Sequence, residues 1–145
     1  MEKLTDKDRL VKLISSVYLV SDSSSFVESL SLEEYAVKLL NKAANYVIVE
    51  EGEDAGLISF YNNDKVTKTG YIALIGVLAD YQGRGMAQKL MDHCVSECHS
   101  TGMEQIKLEV KKDNRRAIRF YEHYDFQKIK EVSDKSIYMC KKLDT

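Results

Sequence analysis

A short turn that contains two glycines is the first feature of this sequence that could do chemistry. Residues 82–87 read Gln-Gly-Arg-Gly-Met-Ala, and they join an apolar run to an amphipathic run. Glycine at Gly83 and Gly85 lets main-chain amides approach a ligand with no Cβ in the way. The amphipathic run predicts a helix, and the first N–H groups of a helix bind phosphate because they have no partner within it. A diphosphate fits this turn; the alternative is a tight strand-to-helix connection that binds nothing.

The turn does not match two familiar nucleotide-binding motifs. It lacks Gly-Lys-Ser/Thr, which excludes a P-loop, and it reads G-x-G-x-A where a dinucleotide-binding unit has G-x-G-x-x-G. Glu104 lies about twenty residues further on, where such a unit places a ribose-binding acid, but Glu104 precedes the next predicted strand instead of ending it. The sequence therefore disfavours a dinucleotide-binding fold.

The same turn resembles the acetyl-CoA motif of the GNAT superfamily of N-acetyltransferases, Gln/Arg-x-x-Gly-x-Gly/Ala, and residues 82–87 fit every fixed position. A second block is similar to the family pattern L-E-V-x-x-x-N-x-x-A-x-x-x-Y-x-x-x-G-F, and it consists of Leu108, Glu109, Val110, Asn114, Ala117, Tyr121 and Phe126. The resemblance covers residues 45–143 and hardly touches the first 44. Asp125 stands where the family prefers Gly; Asp tolerates a left-handed helix C-cap less readily, so we expect a cost in stability rather than function.

The resemblance implies an α/β fold of a single GNAT domain, residues 1–145, with a mixed central sheet of about six to seven strands flanked by about four helices. Local sequence patterns support this fold in the first part of the chain. Residues 4–17 have apolar positions at helical spacing, with Thr5 or Asp6 as the N-cap. A second helix opens at Ser31, where Glu34 completes a capping box, and ends near Asn45. In the family a short strand precedes the first helix, and here it is clipped or missing.

The rest of the chain continues the alternation of strands and helices. Residues 46–49 and 56–61 predict a hairpin, and residues 71–79 are apolar on both faces, as in a strand buried between helices. These three strands are expected to be antiparallel. Residues 105–110 predict a strand parallel to 71–79, because a helix connects the two. Asp113 or Asn114 caps another helix, whose inward stripe is Ala117, Phe120, Tyr121 and Tyr124. Residues 126–132 and 137–143 predict two last strands.

Residues 18–29 are rich in serine and are predicted to form a loop. Two interpretations stay open. The loop is a solvated connector, or it overhangs the acceptor pocket, since the resemblance implies that the segment between the first two helices shapes substrate choice.

Composition excludes several other classes of protein. The chain has 145 residues and a formal net charge of -2, with scattered Lys and Arg, so it lacks the basic surface typical of binding to nucleic acid or anionic membranes. No apolar run approaches the ~20 residues of a membrane span, and the first residues do not read as a signal peptide, so a cytoplasmic location is expected. A homodimeric assembly stays open.

The cysteines are expected to be structural. Their odd number, without an export signal, implies no disulfide framework. Cys94 and Cys98, beside His93 and His99, could suggest a metal site. Both thiols nevertheless fall on a helical stripe with Leu90 and other apolar residues, which favours core packing, and we expect no metal.

The resemblance implies that acetyl-CoA is the cosubstrate and assigns its contacts. The fourth and fifth strands would splay, and the main chain of Ile75, Gly76 and Val77 would hydrogen-bond the pantetheine arm like an added strand, with Gly76 at a local bulge. The diphosphate would lie against the turn and the start of the helix, formed by Gln82, Gly83, Arg84, Gly85, Met86, Ala87 and Gln88. Arg84 adds its charge to a phosphate or faces solvent. Asn114 orients the arm, caps its helix, or does both.

Acetyl transfer from a thioester to an amine needs a base for the amine, donors for the oxyanion and a proton or hydrogen bond for the departing thiolate. No acid lies on residues 71–77, so the base must come from elsewhere. Glu109 and Tyr121 stand where the branch of the family that acetylates ribosomal-protein N-termini has its base and its acid. The alternatives are that Glu109 pairs with a surface lysine and that Tyr121 only packs. His123 is expected to be solvated.

These observations predict an acetyl-CoA-dependent N-acetyltransferase that acetylates a primary amine by direct attack in a ternary complex. The acceptor is a small molecule or a peptide N-terminus, and the sequence does not name it. The alternative from another class is a non-catalytic acyl-CoA-binding sensor or interaction module.

Overall fold

The computed structural model describes residues 1–21 and 31–144. Its strands, in chain order, are β1 (Glu2–Lys3), β2 (Tyr18–Ser21), β3 (Ala44–Glu50), β4 (Glu53–Tyr61), β5 (Thr69–Val77), β6 (Gln105–Lys111), β7 (Gln127–Glu131) and β8 (Ser136–Lys142). Its α-helices are α1 (Lys7–Ser16), α2 (Leu32–Lys42), α3 (Met86–Ser100) and α4 (Arg115–His123). Within the described ranges, none of the helices has the length and apolar character that crossing a bilayer requires.

The strands form one mixed sheet in the order β1-β3-β4-β5-β6-β8-β7, and β2 pairs with β5 beside this path. The β5–β6 pair is parallel and the other pairs are antiparallel. The parallel pair is joined through α3, as the sequence predicted, because a parallel neighbour requires a crossover connection. The predicted α/β architecture is confirmed. The first strand, which was predicted to be clipped or missing, is present and is two residues long.

Side-chain caps fix where the helices begin. The Asp6 side chain accepts from the main chain of Asp8, Ser31 and Glu34 form the predicted capping box, and the Asn114 side chain accepts from Ala117 N at 3.2 Å. Each of these caps satisfies an N–H group that the helix itself leaves unpaired. The predicted helix starts are therefore confirmed.

The second helix ends earlier than the sequence predicted, because Asn45 belongs to the next strand. Its buried side-chain amide donates to the carbonyls of Leu39 and Ala43 at 3.0 and 3.1 Å and accepts from Ser59 Oγ at 2.6 Å. Asparagine thus satisfies the last carbonyls of α2 while its own backbone already lies in β3.

Asp125 adopts the left-handed conformation predicted for it, with φ 66°. Its N–H donates to Glu122 O at 3.0 Å, and Phe126 N donates to Tyr121 O at 3.1 Å. This pair of bonds is a Schellman motif, which ends α4 and starts the turn into β7.

Apolar layers cover both faces of the sheet. On one face α3 and α4 pack on β4, β5, β6 and β8, and both Cys94 and Cys98 are 0% exposed in this layer, as predicted. On the other face α1 and α2 pack on β3, β4 and β5 through residues such as Leu10 and Leu39. The second layer contains no residue of β6, β7 or β8 among those described.

Candidate active site

The glycine turn has the backbone that the sequence predicted. Gly83 and Gly85 have φ of 78° and 80°, a region that side chains with a Cβ rarely adopt. Gly85 is the N-cap of α3, and the first helical bond runs from Lys89 N to Gly85 O at 3.1 Å. The amides of Met86, Ala87 and Gln88 therefore lie in the first turn, where the helix provides no acceptor for them.

A cavity of about 500 Å³ opens between this turn and α4. Its wall brings together most of the residues predicted to bind the cosubstrate, which are Val77, Gln82, Gly83, Gly85, Met86, Ala87, Gln88 and Asn114. Tyr81, Arg116, Ala117 and Phe120 complete the wall. The two sequence motifs, far apart in the chain, thus meet at one place.

Arg84 and Tyr81 form a stack beside the turn. The Arg84 guanidinium lies 5.2 Å from the centre of the Tyr81 ring, and the Tyr81 hydroxyl donates to Glu53 Oε2 at 3.3 Å. Arg84 is exposed and does not line the cavity. The aromatic face holds its charge next to the turn, and among the described residues no carboxylate forms an ion pair with it.

The parallel strands β5 and β6 separate partway along their length, as predicted. Their pairing runs from Thr69 and Gln105 to Ile72 and Leu108, although both strands continue beyond. The separation begins at a bulge, because Ser59 of β4 pairs with Leu74 and the next pair is Phe60 with Ile72. The extra residue is Ala73, and a bulge increases local twist and bends its strand. The bulge within β5 therefore lies at Ala73 rather than at Gly76, although a second register shift, in the pairing of β2 with β5, adjoins Gly76.

Strand β2 enters the gap that this separation opens. It runs antiparallel to the end of β5, with Tyr18 opposite Val77, Leu19 opposite Gly76 and Ser21 opposite Ile75. The other edge of the same residues pairs with β4. The predicted contact of Ile75–Val77 with the pantetheine arm requires an exposed strand edge. That expectation is wrong in this structure, because β2 occupies the edge. An open strand edge is a template for pairing, and here the chain pairs with itself.

The prediction of a loop over residues 18–29 is wrong for Tyr18–Ser21, which form β2. The run Tyr-Leu-Val has side chains that favour strands, and it finds a partner in β5. The remainder of the predicted loop lies outside the described residues, so its two interpretations stay predictions.

Glu109 lies on the face of β6 that points away from the α3 and α4 layer, as its position between Leu108 and Val110 predicted. It is half-buried, and its Oε2 accepts a hydrogen bond from Ser136 Oγ of β8 at 2.7 Å. A serine hydroxyl that donates to a carboxylate restricts the rotamer of that carboxylate.

Tyr121 lies on the opposite side of β6 from Glu109. Its side chain is 0% exposed and packs against the rings of Phe126 and Phe120, at 5.6 and 5.7 Å between centres. The predicted packing stripe is therefore present. Tyr121 is one helical turn after Ala117 and does not line the cavity, which Ala117 and Phe120 do. His123 is exposed, as predicted.

Tyr124 ties the two helices of the site together. Its hydroxyl donates to Gln88 O at 3.1 Å, so the end of α4 is anchored to the first turn of α3. Burial, with the charge of Asp92 nearby, raises the pKa of Tyr124 to about 12. The phenol therefore keeps its proton, and the anchor, at every physiological pH.

This combination of a mixed sheet opening between two parallel strands and a glycine turn at a helix N-terminus is the arrangement that the family resemblance implied. The chain belongs to the acetyltransferase (GNAT) family, whose family model matches residues 8–126.

Three individual proteins illustrate the relationship. The chain is 35% identical over 66 residues to N-alpha-acetyltransferase 30 of Schizosaccharomyces pombe, covering 46% of this chain and 44% of that protein. It is 28% identical over 86 residues to the ribosomal protein bS18-alanine N-acetyltransferase of Salmonella typhimurium, covering 59% of this chain and 58% of the relative. The chain thus spans about half the length of these curated relatives. An aminoglycoside 6'-N-acetyltransferase complexed with coenzyme A has a TM-score of 0.75 at 16% identity, covering 100% of this chain and 98% of that one, which shows a shared fold.

Proposed function

We propose that this protein is an acetyl-CoA-dependent N-acetyltransferase and that residues 1–145 act as one catalytic domain. One observation carries the proposal: the glycine turn, the first turn of α3 and Asn114 line a single cavity of about 500 Å³. Main-chain donors at a helix N-terminus favour a diphosphate. Family membership and the names of the relatives support the same activity.

The residues of the cavity fit the coenzyme. A Cβ at Gly83 would meet nothing within 4 Å, and one at Gly85 only the Gln88 side-chain oxygen, so the space above the turn is open to a ligand. The amides of residues 83–88 would receive the diphosphate, with Arg84 and Arg116 contributing positive charge nearby. The bound coenzyme supplies an acetyl group activated as a thioester.

The pantetheine arm and β2 would use the same edge of β5. The main-chain groups of Ile75, Gly76 and Val77 on that side pair with β2 in this structure. Extended ligands bind strand edges through these groups, and one edge accepts one partner at a time. We therefore infer that β2 leaves β5 when the coenzyme binds.

Glu109 would take the proton from the acceptor amine. An ammonium has no lone pair, so a positioned carboxylate contributes by accepting its proton as attack begins. Ser136 is a positioning residue, because its hydroxyl holds the Glu109 carboxylate at 2.7 Å. Tyr121, across β6, would give a hydrogen bond or a proton to the departing thiolate once the gap beside β5 is open.

We propose a peptide N-terminus as the acceptor. The support is that two similar proteins are named for N-alpha-acetylation and for acetylation of the alanine of a ribosomal protein. The face that bears Glu109 also carries a groove of about 840 Å³, lined by residues of β5, β6, β7 and β8.

A second candidate function is a non-catalytic acyl-CoA sensor. The position of Tyr121 outside the cavity wall favours it, because a proton donor for the departing thiolate must reach the site. Calorimetry with acetyl-CoA and a thiol-release assay across peptides and small amines separate the two. Binding together with release on an acceptor supports the enzyme. Binding without release on any acceptor supports the sensor, and absence of binding contradicts both.

A further inference from the structure

A groove of about 840 Å³ lies on the sheet face that carries Glu109. Its floor is formed by β5, β6, β8 and β7, and includes Tyr71, Gln105, Lys107, Gln127, Cys140 and Lys142. In the described part of the chain, α1 and α2 cover this face only over β3, β4 and β5. We call this surface the lysine groove.

Lys107 and Lys142 line the lysine groove, and Lys130 lies beside it, opposite Tyr138. Among the described residues, no carboxylate forms an ion pair with Lys107, Lys130 or Lys142, whereas Lys112 and Lys128 both pair with Glu131. The whole chain has a net charge of -2, so the cluster does not follow from general basicity.

The lysines are held around one aromatic ring and one thiol. Lys107 Nζ lies 3.8 Å from the centre of the Tyr138 ring, and Lys130 Nζ lies 5.7 Å from it. Burial raises the pKa of Cys140, and the charges of Lys107 and Lys142 oppose that rise. Both ammonium groups therefore act on the floor of the groove.

Two carboxylates also line the groove, but they lie at its far end. Asp64 precedes Thr69, which pairs with Gln105, and its own turn occupies it through hydrogen bonds from Val66 N, Thr67 N and Thr67 Oγ. Asp125 lies just before β7, on the side of Lys142. The end of the groove nearest Glu109 is left with cations.

The sheet register places those cations beside the proposed base. Tyr138 lies directly opposite Glu109, and Lys130 lies opposite Tyr138 on the next strand. Lys107 is two residues from Glu109 on the same face, a spacing of about 6.6 Å along a strand. An extended peptide advances about 3.3 Å per residue, so its second to fourth residues reach these lysines when its amine reaches Glu109.

We propose that the acceptor is a peptide N-terminus followed within three positions by acidic side chains, which Lys107 and Lys130 bind. This inference rests on the proposed acetyltransferase function and names its substrate class. The same two charges repel a basic peptide, so they select by exclusion as well as by attraction.

The test uses peptides that share one N-terminal residue and carry glutamate, glutamine or lysine at the next three positions. We expect kcat/KM to fall in that order, by roughly fivefold at each step, because exposed charge pairs are individually weak. The double variant Lys107→Glu, Lys130→Glu should reverse the order. Lys128→Glu is the matched control, because Lys128 lies opposite Met139 on the other face of the sheet and should leave the order unchanged.

Equal kcat/KM for the three peptides, or an order that persists in the double variant, would overturn the proposal. If no peptide is acetylated, the acetyltransferase function fails separately. Fluorescence anisotropy with labelled peptides then decides: preferential binding of the acidic peptide that is lost in the double variant supports the lysine groove, and equal binding by both proteins refutes it. Matching circular dichroism spectra show that the variants fold.

Discussion

Gly76 of β5 lies opposite Leu19 of β2, on the edge of β5 that faces the gap beside β6. The chain thus closes, with its own backbone, the edge that we assign to the pantetheine arm. A coenzyme that needs this edge binds only the fraction of molecules in which β2 has left it, so its apparent affinity is reduced by that fraction.

Weakening β2 should therefore strengthen coenzyme binding. Leu19→Pro removes a main-chain donor from an antiparallel pair, whereas Leu19→Ala keeps it. We expect the proline variant to bind acetyl-CoA roughly fivefold to tenfold more tightly by calorimetry, and the alanine variant to differ less. An unchanged or weaker affinity in the proline variant would show that β2 does not compete with the coenzyme.

Gly85→Glu should abolish coenzyme binding. A side chain at this position enters the phosphate-binding turn, and its carboxylate repels the diphosphate. Gly85 also has φ 80°, so any Cβ strains the backbone, and a control must share that strain. Gly102 provides it, with φ 85° and nothing within 4 Å of an added Cβ, at the other end of α3. Gly102→Glu should bind acetyl-CoA normally in the same calorimetric titration; equal affinity of both variants would refute the phosphate assignment.

Tyr121→Phe should slow turnover and leave coenzyme affinity nearly unchanged. The ring keeps its packing against Phe126 and Phe120, and only the hydroxyl is lost. A positioned proton donor contributes about a hundredfold or more to rate, so kcat should fall by about that factor. Single-turnover kinetics with saturating acetyl-CoA give the measurement. Turnover at the wild-type rate would restrict Tyr121 to a packing role.

Features set by a few neighbouring residues could be predicted from the sequence. The capping box at Ser31, the cap at Asn114, the left-handed Asp125 and the glycine turn each depend on contacts within four or five positions. The direction of Glu109 follows equally from strand alternation. These predictions did not require knowledge of which strands become neighbours.

Features set by distant partners could not be predicted. The bulge at Ala73 arises from the register between β4 and β5, and no residue type marks it. Strand β2 could not be recognised at the start of a serine-rich segment, because the strand with which it pairs lies more than fifty residues away in the chain. Arg116 lines the cavity, and this position could have been predicted. It lies four positions before Phe120, and helical residues at that spacing share a face.

The ion pair between Arg9 and Asp54 should make stability depend on pH. Arg9 Nε donates to Asp54 Oδ2 at 3.0 Å, joining α1 to β4, and this hydrogen bond lowers the pKa of Asp54. A carboxyl with a lower pKa in the folded state stabilises the fold above its unfolded pKa of ~3.9 and loses that contribution as pH falls through the folded value.

Because the pair is partly exposed, we expect Asp54→Asn to lower the free energy of unfolding by about 1 kcal/mol at neutral pH. Below the folded-state pKa of Asp54 the carboxyl is protonated in both states, so the stabilities of wild type and variant should converge as pH falls through that value. Urea denaturation across pH measures this, with Glu33→Gln, from the exposed 4.0 Å pair with Lys7, as a control that should change little. A difference that stays constant down to the lowest pH would show that Asp54 acts through packing rather than through its charge.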